Sequence, residues 1–199
     1  MLDAHIRPLI DPPLNYLGKY LVKANISANT ITIVGFVLGL AACPAIAYNA
    51  YTLAIVFILL NRICDGLDGS MARHTQLTDF GGFLDIVCDF IFYSAIVFAF
   101  TLTHPSHIFW ASFLIFSFIG PISSFLAYAI LAAKHNRTTV KRGQKSFYYL
   151  GGICEGTETT LALLSMCLFP DHFWLICCIY GILCWLTTLG RIYQAWQDF

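Results

Sequence analysis

Along the chain, apolar runs of about 20 residues alternate with short polar breaks, the length an α-helix needs to cross a bilayer core. The runs predict six transmembrane helices, at roughly 30–49, 52–73, 81–102, 107–133, 149–169 and 172–195. Breaks such as YNAY, HTQLTD, THPSH and FPDH separate most of them, and KHNRTTVKRGQK is the one long polar break. Ahead of the first run the pattern changes. Leu14, Leu17, Tyr20, Leu21 and Ala24 recur at helical spacing opposite Lys19 and Lys23, which predicts an amphipathic helix lying in the membrane interface. Pro12 and Pro13 suit its first turn. The expected fold is therefore an all-α integral membrane protein, six transmembrane helices plus an N-terminal amphipathic interfacial helix. It reads as one domain over 1–199, with 1–29 the interfacial segment and 30–199 the six-helix bundle.

Composition supports that pattern. The chain is 58% hydrophobic and 11% charged, with mean hydropathy +0.73, which argues against a soluble domain. Formal net charge is zero, so no footprint for nucleic acid is visible. No apolar leader of the secretory type precedes the first run. The eight cysteines include no C-x-x-C pair and read as small packing residues. Arg7, Lys19 and Lys23 precede the first run, Arg73 closes the second, a basic cluster from Lys134 to Lys145 follows the fourth, and Arg191 ends the sixth. The turns near 50, 104 and 170 carry no Lys or Arg, so every basic end falls on one side, expected to be cytoplasmic. Only Arg62 lies well within a run.

The chemistry begins with acids where acids are expensive. One ionisable residue at mid-bilayer costs about 2.5–3.5 kcal/mol, so four cost about 10–14 kcal/mol, comparable to a whole protein's stability. Asp65, Asp68, Gly69 and Ala72 share one face of the second helix, and Gly81, Asp85 and Asp89 repeat at every fourth position of the third. The short turn between these helices makes them antiparallel neighbours, so the four carboxylates converge near the cytoplasmic surface. Four anions in a low-dielectric pocket need cations, and hard divalent ions with oxygen ligands fit best. Two magnesium ions would balance four carboxylates. Gly69 and Ala72 leave room for a ligand, and Arg73 can neutralise a phosphate. The implied ligand is a diphosphate whose apolar part stays in the bilayer.

The stretch DGLDGSMARHTQLTDFGGFLDIVCD resembles the signature of the CDP-alcohol phosphatidyltransferases, D-x2-D-G-x2-A-R-x8-G-x3-D-x3-D. Asp65, Asp68, Gly69, Ala72, Arg73, Gly81, Asp85 and Asp89 supply all eight fixed positions, with seven residues instead of eight between Arg73 and Gly81. The resemblance implies transfer of a phosphatidyl group from CDP-diacylglycerol to an alcohol, with release of CMP, by a membrane homodimer that makes phospholipid. It implies that Asp65, Asp68, Asp85 and Asp89 hold two Mg2+ or Mn2+ ions and that Asp89 is also the general base. Asp65, Gly69, Ala72 and Arg73 would contact the nucleotide. So would Asn29, although SANTIT carries Ala28 where the family often has proline. For a bacterial chain the location implied is the inner membrane, with the site facing the cytoplasm.

The acceptor alcohol is less determined. Lys134, Lys145 and Arg191 stand at the right membrane level for a phosphorylated acceptor such as glycerol 3-phosphate, or they simply mark the cytoplasmic side. Glu155 and Glu158, an i, i+3 pair in an apolar run, suit a polyol or an amine, or form a structural ion pair. Serine, inositol, choline and other polyols remain open. A membrane prenyltransferase or a transporter would also place acids in helices, and CMP release separates these readings.

Overall fold

The computed structural model describes residues 3–135 and 152–199, with side chains described from Ile10 onward. Lys145 and the rest of the basic loop after His135 lie outside the described residues. The chain forms α1 (Asp3–Lys23), α2 (Ala28–Leu40), α3 (Ala42–Ala47), α4 (Tyr51–His74), α5 (Asp79–Ala99), α6 (His107–Lys134), α7 (Gly156–Leu168) and α8 (Phe173–Asp198), with no strand among the described residues. Among the described residues, four stretches are long and apolar enough to cross a membrane: Ala28–Ala47, Asp79–Leu102, His107–Lys134 and Pro170–Asp198. α4 has the length, at 24 residues, but carries Arg62 at its middle and Asp65 and Asp68 beyond it.

Three element boundaries depart from the hydropathy reading. α1 begins at Asp3, so Pro12 and Pro13 lie inside it and not at its start. Both prolines are exposed, while Leu14 and Gly18 are buried against α4, so the strain of the rings falls on the face away from the packing. Contacts with α4 hold the turn after them: Ser70 Oγ donates to Asn15 Oδ1 at 2.8 Å and to the Leu14 carbonyl at 3.3 Å. The first run is divided between α2 and α3 because Pro44 offers no N–H to Leu40, the last residue of α2. In the described part of the fifth run, Gly152 to Glu155 are irregular and the helix begins at Gly156.

α4 and α5 run antiparallel, but they are not packed directly on one another as the short turn predicts: α2 packs against both. Tyr51, at the start of α4, stacks on Phe100, just past the end of α5, with ring centroids 5.9 Å apart. Phe100 stacks in turn on Phe173 at 4.6 Å. Phe100 and Phe173, with Ile46, Ile58 and Leu114, are fully buried in the apolar core at one end of the helices, and Tyr51 packs partly buried against them. The acids therefore gather at the other end. There α2 lies directly on its neighbours. A Cβ on Gly35 would sit 2.5 Å from Cys64 Cβ, and one on Gly39 would sit 2.7 Å from the Phe92 ring and 2.8 Å from Asn61 Nδ2. Small residues permit such backbone approach between membrane helices. Ser27 and Thr78 cap α2 and α5 by accepting from Thr30 N at 3.1 Å and Gly81 N at 3.0 Å.

Candidate active site

α4 and α5 bring Asp65, Asp68 and Asp85 to one point, each offering a carboxylate oxygen within 4.8 Å of the others. Helical spacing puts Asp65 and Asp68 on one face of α4, and the antiparallel α5 sets Asp85 against them. Three converging carboxylates give the oxygen-rich, anionic donor set that a hard divalent cation takes, so the residues present fit a magnesium- or manganese-type ion. Asp68 is the most enclosed, at 5% exposure. Its Oδ2 accepts from Thr32 Oγ1 of α2, which also donates to the Ala28 carbonyl at 3.2 Å.

Asp89 does not join that triad among the described residues. Its Oδ1 pairs with Arg62 Nη2 at 2.5 Å, and its Oδ2 accepts from Tyr93 Oη at 3.0 Å and from Arg62 Nη1 at 3.3 Å. Arg62 is fixed on its other sides. Nε donates to Asn61 Oδ1 at 2.8 Å, Nη1 donates to Tyr93 Oη at 2.8 Å, and Nη1 lies 3.6 Å from Asp65 Oδ2. The guanidinium also lies over the Phe92 and Tyr93 rings, 5.0 and 5.1 Å from their centroids. Asn61 completes the frame by donating to the Gly35 carbonyl at 2.9 Å. One hydrogen-bonded chain thus ties α2, α4 and α5 around the acids.

The remaining predicted residues divide. Gly69 faces open space: a Cβ there would meet only Arg73 Nη1, at 3.6 Å. Arg73 is half-exposed at the mouth, 3.9 Å from Asp11 and 3.5 Å from Asn15 Oδ1. Ala72 is partly buried one turn from Asp68. Asn29 stands beside the start of α5, its Oδ1 3.2 Å from where a Gly81 Cβ would be. A cavity of about 610 Å³ runs from the acids to Glu155, Thr157, Tyr180 and Arg191. Arg191 is buried there, donating from Nη1 to the Pro121 carbonyl at 2.7 Å. Glu155 is not on a helix face with Glu158, as the i, i+3 spacing predicts. It stands in extended backbone as the residue before α7, its Oε1 accepting from Gly152 N at 3.3 Å. Glu155 lines the cavity and Glu158 does not. Lys134, at the exposed end of α6, does not line it either.

Sequence reasoning missed Thr32, Asn61 and Tyr93, and gave Arg62 no role. A signal was available for two of them. Arg62 precedes Asp65 by three residues, and Tyr93 follows Asp89 by four, both the spacing of helix neighbours. Thr32 and Asn61 are polar residues in apolar runs with no such marker.

This arrangement agrees with what the chain resembles. Residues 25–193 match the CDP-alcohol phosphatidyltransferase family, and the chain belongs to it. It is therefore a phospholipid-synthesising transferase of the membrane. It is 48% identical over 197 residues to the inner membrane protein YnjF of Escherichia coli, covering 98% of this chain and 96% of that one. It is 28% identical over 191 residues to the archaetidylinositol phosphate synthase of Pyrococcus horikoshii, covering 96% and 94%. Its fold is similar to that of phosphatidylinositol phosphate synthase (PgsA1) from Mycobacterium tuberculosis, solved with CDP-DAG bound, with TM-score 0.74, 16% identity, and 92% and 93% coverage. A second structure of that enzyme, in complex with manganese and citrate, has the same TM-score and identity and covers 92% of this chain and 88% of that one. Four apolar helices and an inner-membrane relative make this a multi-pass membrane protein.

Proposed function

We propose that the protein transfers a phosphatidyl group from CDP-diacylglycerol to a phosphorylated polyol, releasing CMP, with a divalent metal ion. The observation that carries this reading is the continuous cavity joining the Asp65–Asp68–Asp85 triad to Arg191, Glu155, Thr157 and Tyr180. One end suits a metal-held diphosphate. The other offers a buried guanidinium for a phosphate and several groups for hydroxyls. The names of the relatives make an inositol phosphate the first acceptor to test, ahead of glycerol 3-phosphate. Serine and choline lack the phosphate that Arg191 would meet.

Asp65, Asp68 and Asp85 would hold the metal, which when bound would supply charge stabilisation at the diphosphate. Gly69 and Ala72 leave the space, and Arg73 and Asn29 the polar groups, that seat the cytidine nucleotide. Asp89, held in place by Arg62 and Tyr93, takes the proton of the acceptor hydroxyl. The acceptor oxygen forms its bond to the lipid-side phosphorus as the P–O bond to CMP breaks, and CMP leaves with that electron pair. The acyl chains would lie along Ile10, Leu14, Leu59 and Ile63 at the cavity's apolar border.

The same reading counts six crossings, with α4 and α7 packed among the four apolar helices. α7 alone, at 13 residues, spans about 20 Å. The irregular residues Gly152 to Glu155 precede it. Irregular backbone at that depth is tolerated where it lines a cavity. The face of α1 with Tyr16, Leu17 and Tyr20 exposed would rest in the interface. The basic ends at Arg73, Lys134 and Arg191 would turn the site to the cytoplasm. A homodimer of one-domain chains is the assembly the family resemblance implies. The test is CMP release in detergent from CDP-diacylglycerol, with and without chelator, against inositol phosphate, glycerol 3-phosphate, inositol, serine and choline. Turnover with a phosphorylated polyol, lost on chelation, is expected. Absence of CMP with every acceptor overturns the reading.

A further inference from the structure

We propose that α1 sets how tightly the site holds its nucleotide, acting through Arg73. Asn15 is a positioning residue that aims the guanidinium at the open space over Gly69, and Asp11 is the resident anion that an incoming diphosphate displaces. The inference rests on the reading that a cytidine diphosphate group fills that space. It gives a role to residues outside the eight fixed positions and ahead of the family match, which begins at residue 25.

Three observations carry it. First, Asp11, Leu14, Asn15 and Gly18 fall at i, i+3, i+4 and i+7 on one face of α1, and that face meets α4. A Cβ on Gly18 would sit 2.6 Å from Ser70 Oγ, and one on Gly66 would sit 2.6 Å from Leu14 Cδ1, so the two helices touch where side chains are absent. α4 is the helix that carries Asp65, Asp68, Gly69 and Arg73. Second, among the described residues the polar partners of Arg73 are both on α1. Its Nη2 donates to Asn15 Oδ1 at 3.5 Å and lies 3.9 Å from Asp11 Oδ1, while its Nη1 stands 3.6 Å from where a Gly69 Cβ would be. Asn15 Oδ1 is fixed in turn by Ser70 Oγ at 2.8 Å. One edge of the guanidinium is tied to α1, and the other overlooks the open space. Third, Asp11 and Arg73 line the same cavity as the acid triad, and Asn15 does not. Asn15 therefore acts on a ligand through Arg73, whereas Asp11 competes with the ligand for it. The Asp11–Arg73 pair is longer than a hydrogen bond, and both side chains are partly open to water, so it is weak. A phosphate that hydrogen-bonds the planar fork directly displaces it.

Isothermal titration of CDP into the purified full chain in detergent, with Mg2+ present, tests this. Arg73→Gln should weaken CDP binding at least fivefold. Asp11→Asn, which removes the competing charge, should tighten it about two- to fivefold, the range an exposed ion pair allows. Asn15→Leu should weaken it at least threefold, and the same change made in Arg73→Gln should alter affinity less than 1.5-fold, since the group it aims is gone. A residue that only held α1 in place would cost the same in both backgrounds, and would give no opposite sign at Asp11. Unchanged or weaker binding in Asp11→Asn overturns the inference, as does an unchanged affinity in Arg73→Gln or an equal loss from Asn15→Leu with and without Arg73. If Asn15→Leu does not fold, Asp11→Asn, a partly exposed and isosteric change, still decides. Failure here and failure of the transfer reading are distinguishable. CMP release by a wild type whose CDP affinity ignores both α1 changes sinks only this inference. The expected CDP affinities without CMP release from any alcohol sink only the transfer reading.

Discussion

Replacing Thr32 by valine keeps the β-branched shape and removes one hydroxyl, the donor to Asp68 Oδ2. Asp68 is 5% exposed and Thr32 9%, so little water can take the hydroxyl's place. A hydrogen bond to a charged group contributes about 1.5–3 kcal/mol. At 1.4 kcal/mol per factor of ten, complete loss from the metal-bound state corresponds to about 10- to 140-fold weaker metal binding. Outer partners of metal ligands, when removed, typically cost about 10–100-fold, which agrees. The full figure is an upper bound. Thr32 also holds Asp68 before the metal arrives, so part of the loss falls on the stability of the metal-free protein. The two shares are separable. Mn2+ titration gives the affinity, and the thermal midpoint without metal gives the stability. Thr32→Val is expected to raise the Mn2+ Kd about tenfold or more, and Thr32→Ser, which restores the hydroxyl, to return most of it. A Thr32→Val protein with Mn2+ affinity within twofold of wild type would refute the claim that α2 aims this carboxylate.

Three further outcomes follow from the packing and the cavity. Gly39→Ala should lower the thermal midpoint, at an overpacking cost of about 1–3 kcal/mol, because its Cβ would meet the Phe92 ring at 2.7 Å; an unchanged midpoint would show that α2 can move off α5. Gly69→Leu should fold normally but lose protection by CDP against thermal aggregation, since its side chain fills the open space beside Arg73, and retained protection would place the nucleotide elsewhere. Glu155→Gln should raise the acceptor KM while leaving the KM for CDP-diacylglycerol within about twofold, and an unchanged acceptor profile with lower stability would make Glu155 a purely structural residue.

The helices and the acid triad were readable from the sequence because both rest on local repetition. Apolar runs report spans, and spacings of three and four report a shared helix face. The two prolines misled at opposite ends of this logic. Pro12 was legible as a helix start, yet the helix runs through it because later residues dock on α4. Pro44 sits in an uninterrupted apolar run, and its lost hydrogen bond is invisible to hydropathy. Glu155 and Glu158 misled for a related reason. Their spacing suggests one face only if the backbone between them is helical, and the helix begins after Glu155. Thr32 and Asn61 were not legible at all. Their roles arise from α2 lying against α4, a contact between residues 26 to 36 positions apart. No local period records such a contact.

The glycines of α2 and α4 show how the same residue serves opposite ends. Gly35 and Gly39 have no side chain because another helix is there; Gly69 has none where almost nothing is. The first arrangement excludes water and lets Thr32 and the Asn61–Arg62 pair reach the acids from behind. The second leaves the front of the same acids open to a large ligand. A carboxylate cluster in a membrane needs both. Without the close back, Asp68 would be a buried charge without the Thr32 donor, at a cost of several kcal/mol. Without the open front, the triad would be a structural ion site with no substrate. The family motif fixes the acids and the front glycine, but not the polar residues behind them. Arg62, Asn61 and Thr32 lie outside its eight fixed positions. In this chain the Arg62 guanidinium pairs with Asp89.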